Sequence, residues 1–131
     1  MEIFGFRKLI AYQRAKELVK HVYSIVYGFP KEERYALSDQ MRRAVISVTS
    51  NIAEGVNRYS LKDKIHFLEI SYGSLMEVAS HCEMAEEIGY ISKEQRMNVD
   101  NLVEEIARLI SGLQASYKEK MDNNLSTIRS K

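Results

Sequence analysis

Only one proline, Pro30, interrupts this 131-residue chain, and apolar residues recur three and four positions apart through nearly all of it. A chain with so few helix breakers and that period has little choice but to form long amphipathic helices. The spacing predicts a first helix over residues 7–27, with Tyr12, Ala15, Leu18, Val19, Val22 and Val26 on one side. Gly28-Phe29-Pro30 ends it, and residues 31–36 form a connector of about one helical turn. A second helix runs from Leu37 or Ser38 to Val56 on a stripe of Leu37, Met41, Ala44, Val45, Val48 and Ile52.

Ser60 with Asp63 three residues on is a helix start, and Gly89 is a natural stop. Between them Ile65, Leu68, Tyr72, Leu75, Ala79 and Cys82 repeat as a coiled-coil-like seam. Ser92-Lys93-Glu94-Gln95 has the form of a capping box for a fourth helix. Its stripe is Val99, Leu102, Val103, Ile106, Leu109, Ile110, Leu113 and Tyr117. The pattern fades after Met121, so residues 1–121 are expected to be one domain and 122–131 a frayed tail. Four helices with short connectors predict an all-α, antiparallel up-and-down four-helix bundle.

Charge is nearly balanced overall, at +1, which excludes a strongly cationic protein that coats nucleic acid indiscriminately. The balance hides a polarity. Residues 1–65 carry 12 Lys and Arg against 7 Asp and Glu, a net +5, and residues 66–131 carry 7 against 11, a net −4. Such polarity serves a polyanionic partner, packing between unlike faces of subunits, or mutual neutralisation of neighbouring helices. The candidate cations are Arg7, Arg14, Lys16, Lys20 and Arg42, with Arg58, Lys62 and Lys64 clustered at the turn between the second and third helices.

Little in the chain carries catalytic chemistry. One cysteine, Cys82, makes neither an internal disulfide nor a multi-thiolate metal site, and its place on an apolar seam makes it a small core filler. No glycine-rich phosphate loop is present. The alternative to an interaction protein is a metal-binding or catalytic bundle. It would use His66 and Glu69, in reversed Glu-x-x-His order, with Glu77 four residues before His81. Helical-wheel position sets His66, Glu69 and Glu77 away from the seam, so no metal, cofactor or small-molecule substrate is expected. Neither a leader nor a stretch of about 20 apolar residues is evident, which predicts a cytoplasmic protein without a membrane segment.

On the second helix, Gln40, Arg43, Ser47, Asn51, Glu54 and Arg58 lie together beside the apolar stripe. They form either a polar network that fixes helix register or a groove for a partner. Ile46 and Ala53 fall on the opposite side of that helix, off the main core, as candidates for a contact between subunits.

Several segments resemble one family: Pro30-Lys31-Glu32-Glu33-Arg34-Tyr35-Ala36-Leu37, Gln40-Met41-Arg42-Arg43-Ala44, and Asn51-Ile52-Ala53-Glu54-Gly55 followed by Arg58. Phe67-Leu68 and Gly73-Ser74-Leu75-Met76-Glu77 add to the likeness. These resemble the four-helix-bundle proteins encoded within intervening sequences of bacterial 23S ribosomal RNA genes, from about Phe4 to Leu113. The resemblance implies a left-handed up-and-down bundle and a non-enzymatic role. That family is similar to the accessory proteins of diversity-generating retroelements, ring-shaped homo-pentamers that bind nucleic acid and a reverse transcriptase. A homo-oligomer, a pentamer by this likeness, is therefore expected, with RNA, DNA or a reverse-transcriptase-like protein as partner. Gln40, Arg43, Asn51, Glu54, Gly55, Arg58, Gly73 and Glu77 are the motif positions so marked. Gly55 and Gly73 are read as sites of turn geometry or close helix approach.

Overall fold

A computed structural model describes residues 2–129. Four helices account for most of them: α1 (Ile10–Tyr27), α2 (Leu37–Val56), α3 (Leu61–Ile88) and α4 (Lys93–Arg129). Short 3-10 turns at Gly5–Lys8 and Lys31–Glu33 precede α1 and α2, and no strand occurs among the described residues. Each helix packs on the next in the chain and α1 closes onto α4, which is the up-and-down four-helix bundle the periodicity predicts. Among the described residues no helix is long and apolar enough to cross a membrane.

Local chemistry sets most helix ends. Ser60 Oγ accepts from Asp63 N at 3.1 Å. In the capping box before α4, Ser92 Oγ accepts from Gln95 N at 3.1 Å while Gln95 Oε1 accepts from Ser92 N at 2.8 Å. Gly89 closes α3 with φ +93°, a left-handed conformation that costs a glycine nothing. The first helix starts later than expected, at Ile10 rather than Arg7, because Leu9 is extended and residues 5–8 form their own turn. Aromatic packing holds that turn: Arg7 lies 4.3 Å over Phe4, and Phe6 meets Tyr12 edge-on at 5.0 Å.

The core is one cluster fed by all four helices, including Leu18, Val22, Met41, Val48, Ile52, Leu68, Leu75, Ile106 and Ile110. On α3 the buried line is Leu68, Ser71, Leu75, Val78, Cys82 and Ala85. This corrects the expected seam at Tyr72, which is 37% exposed. Ser71 takes the core place because its Oγ donates to the carbonyl of Val48 at 2.8 Å, so its polarity is satisfied inside. A second difference lies at the end of α4. The helix continues to Arg129 where fraying was expected from residue 122, since no glycine or proline stops it. Residues 130 and 131 of that expected tail lie outside the described residues.

The two motif glycines on α2 and α3 differ. A Cβ on Gly55 would sit 3.1 Å from Phe67 Cβ and 3.2 Å from the Lys64 carbonyl oxygen, so this residue allows close approach of α2 and α3. Gly73 faces open space, which corrects its reading as a close-approach position. Alanine should therefore act with opposite sign at the two positions in urea unfolding. Gly73→Ala should raise stability by about 0.5–1 kcal/mol through helix propensity, while Gly55→Ala should lower it. Equal effects would contradict the close packing at Gly55.

Candidate functional site

The polar stripe of α2 is built into the α2–α3 seam. Asn51 Nδ2 donates to the Ser47 carbonyl at 2.8 Å and to Ser47 Oγ at 3.0 Å. Across the seam Ser74 Oγ donates to the same Ser47 Oγ at 2.8 Å. Arg43 pairs with Asp39 at 3.0 Å and Glu54 with Arg58 at 2.8 Å. Gln40, Arg43, Ser47, Ser74 and Glu77 line a shallow groove of about 330 Å³. Ser47, Asn51 and Ser74 thus form a satisfied lattice between two helices, and Gln40, Arg43 and Glu77 edge it toward solvent.

The eight candidate cations do not share one face. Arg14 turns to α4, where its Nε meets both carboxylate oxygens of Glu105 at 3.0 and 2.7 Å. The hydrogen bond and the charge of Glu105 raise its pKa further. Lys20 pairs with Glu17 at 3.5 Å. Arg42 donates to the Arg34 carbonyl at 3.2 Å, and Lys16 lies 5.7 Å over Tyr12. Arg7 is held by the N-terminal rings. Arg58, Lys62 and Lys64 do gather at the α2–α3 turn. Arg58 also stacks 4.4 Å over Phe67. Lys64 donates to the Val56 carbonyl at 2.7 Å, and burial, then the charge of Lys120, pushes its pKa down. Two ammonium groups held near each other are a place where an anion relieves repulsion.

Ile46 is 41% exposed and Ala53 is half-buried, on the side of α2 away from the polar seam. His66, Glu69 and Glu77 are exposed and His81 is half-buried. Among the described residues no three His, Cys, Asp or Glu side chains are grouped to hold a metal ion. His81 Nδ1 is buried without a hydrogen-bond partner there. Cys82 is fully buried, and its thiol is pushed up to about 12 by burial first and by Asp100 second.

Two polar links escape sequence reasoning. Arg96 joins Glu86 at 2.7 Å and Asp100 at 2.6 Å, tying α4 to α3, and these bonds raise its pKa. Tyr90 OH donates to Glu33 Oε1 at 3.1 Å, which raises the phenol's pKa and clips the connector before α2 to the α3–α4 turn. Only the alternation of opposite charge along α4 hints at the first; nothing local signals the second.

The profile of the 23S rRNA-intervening sequence protein family matches residues 7–112. This chain belongs to that family. The match to the 23S rRNA-intervening sequence proteins takes in α1, α2, α3 and the first half of α4. A similar fold occurs in the crystal structure of a protein of unknown function, from the S23 ribosomal protein family, of Bacteroides thetaiotaomicron. It is 23% identical, with a TM-score of 0.74, over 80% of this chain and 98% of that one. No curated protein matches the chain.

Proposed function

We propose that this 23S rRNA-intervening sequence protein is a non-enzymatic interaction module that assembles head to tail with copies of itself. The observation that supports this reading is the outer side of α3. Away from its buried line that helix exposes Ile70, Tyr72, Met76, Met84 and Ile88, interleaved with Glu69, Glu77, Glu83 and Glu87. The α1–α2 side offers a counterpart. Tyr23 and Ile46 are exposed there, with Val19 and Ala53 half-buried, among Lys16, Lys20 and Arg42. Apolar groups ringed by acid on one side and by base on the other are complementary. Contact between unlike faces of identical chains is heterologous, and it closes into a ring when the rotation permits, five copies being the number the family resemblance implies.

A second reading concerns the basic end. Arg58, Lys62, Lys64 and Lys120 surround a turn on which Tyr59 stands fully exposed. Cations beside a free ring favour single-stranded RNA or DNA, held by phosphate charge and base stacking. A nucleic-acid-processing protein such as a reverse transcriptase would then meet the module on the same substrate.

Sedimentation of the wild-type chain and of Ile46→Glu, each with and without a single-stranded RNA, tests both readings. The wild type should sediment at several times 15.2 kDa. Ile46→Glu should sediment much lighter with its helical circular dichroism unchanged. An unchanged mass overturns the head-to-tail contact. RNA should co-sediment at low salt and dissociate steeply as salt rises. Salt-independent or undetectable binding removes the second reading.

A further inference from the structure

Among the described residues, the last turns of α4 run past the start of α3 with their side chains exposed. Gln114 Nε2 donates to the Ile65 carbonyl at 3.2 Å and Lys64 lies 5.4 Å from the Tyr117 ring, so the start of α3 is level with Met121. From Asp122 to Ile128 every side chain is exposed. The overhang also lies beyond residue 112, where the family match stops. Its pattern is not that of a solvated tail. The stripe Ile106, Ile110, Leu113 and Tyr117, which packs on the core, continues on the same helix face as Met121, Leu125 and Ile128. Leu125 is 49% exposed and Ile128 69%.

We propose that this overhang docks a second copy of the chain: two overhangs pack antiparallel about a two-fold axis. Leu125 meets the partner subunit's Leu125, and Met121 lies level with the partner subunit's Ile128. Two observations favour a second copy over other occupants. Residues close to a two-fold axis meet their own copies, so like charges there would repel; residues 123–128, which flank the axis at Leu125, carry no charge. A polyanion or a lipid surface would call for cations on the polar side of the overhang, and Asn123, Asn124, Ser126 and Thr127 provide none. Nine residues rise only about 13 Å, short for a stable dimer by themselves, but the bundle end beneath adds surface. Ile3 and Phe4 are exposed at that end, where Asn57 Nδ2 donates to the Ile3 carbonyl at 2.8 Å. The tip of the partner's overhang lands on them. This contact is separate from the side around Ile46 and holds whether or not a ring forms.

Disulfide trapping in the full chain tests it. Leu125→Cys places a thiol at the two-fold axis, and Glu119→Cys places one on the opposite side of α4. The native Cys82 is fully buried and does not compete. Under mild oxidation Leu125→Cys should form a covalent dimer at least about tenfold faster than Glu119→Cys, since docking raises the local thiol concentration. The rate should not change when Ile46→Glu is added. In parallel, Leu125→Glu with Ile128→Glu should halve the sedimenting mass with the helical signal retained. Equal trapping at the two positions, loss of trapping with Ile46→Glu, or an unchanged mass would each overturn the proposal. Failure of Ile46→Glu alone to change the mass touches only the head-to-tail contact.

Discussion

Leu75→Ala should lower the unfolding free energy by about 2–5 kcal/mol, whereas Tyr72→Ala, on the same helix, should cost no more than about 1 kcal/mol. Leu75 is fully buried in the shared core, so truncation removes apolar contacts and leaves a cavity that four packed helices cannot close. Tyr72 is 37% exposed, and the alanine variant keeps every core contact. Urea unfolding at matched protein concentration measures both. A loss at Tyr72 equal to that at Leu75 would restore the seam expected from spacing alone and contradict the observed rotation of α3.

That contrast shows what was legible in the chain. The stripe on α2 and most of the stripe on α4 are visible because those helices bury one side and solvate the other. The caps at Ser60 and Ser92 and the stop at Gly89 are visible because their chemistry is local, within three residues. On α3 the rule fails, since large apolar side chains occur nearly all round the helix and no single stripe stands out. Periodicity then selects Tyr72 over Ser71, although Ser71 is the buried residue. Its burial depends on the Val48 carbonyl on another helix, which no local pattern records.

The candidate site divides in the same way. The grouping of Ser47 and Asn51 follows from four-residue spacing and is present. The third member, Ser74, comes from α3 and needs the fold to place it. Arg14 counts as a cation in the sequence, yet its charge is taken up by Glu105, 91 residues away. The overhang of α4 is likewise hidden, because a tail of Asn, Ser and Thr has weak helical propensity. Its three apolar residues become meaningful only once the stripe on α4 is traced through the bundle.

Raising the pH should destabilise the wild-type chain through Cys82, and Cys82→Ala should remove that part of the loss. Burial, and secondarily Asp100, pushes the thiol up to about 12, whereas an unfolded thiol titrates near 8.5. The folded state holds the proton more tightly, so the thiol's contribution to stability is whole below about pH 8.5 and is lost as pH rises toward about 12. At one ionisation the limit is roughly 5 kcal/mol. Tyr90 and Tyr117, also raised, add to the slope in both proteins, and Lys64, lowered, opposes it in both. The informative quantity is therefore the gap between wild type and Cys82→Ala, from urea midpoints at several values between pH 7 and pH 11. At pH 7 the wild type should be the more stable, since alanine leaves a small cavity. The gap should shrink above about pH 8.5 and then reverse. A constant gap would mean that solvent reaches the thiol in the folded state. The predicted reversal instead requires a thiol that stays protonated at neutral pH, a packing group rather than a nucleophile.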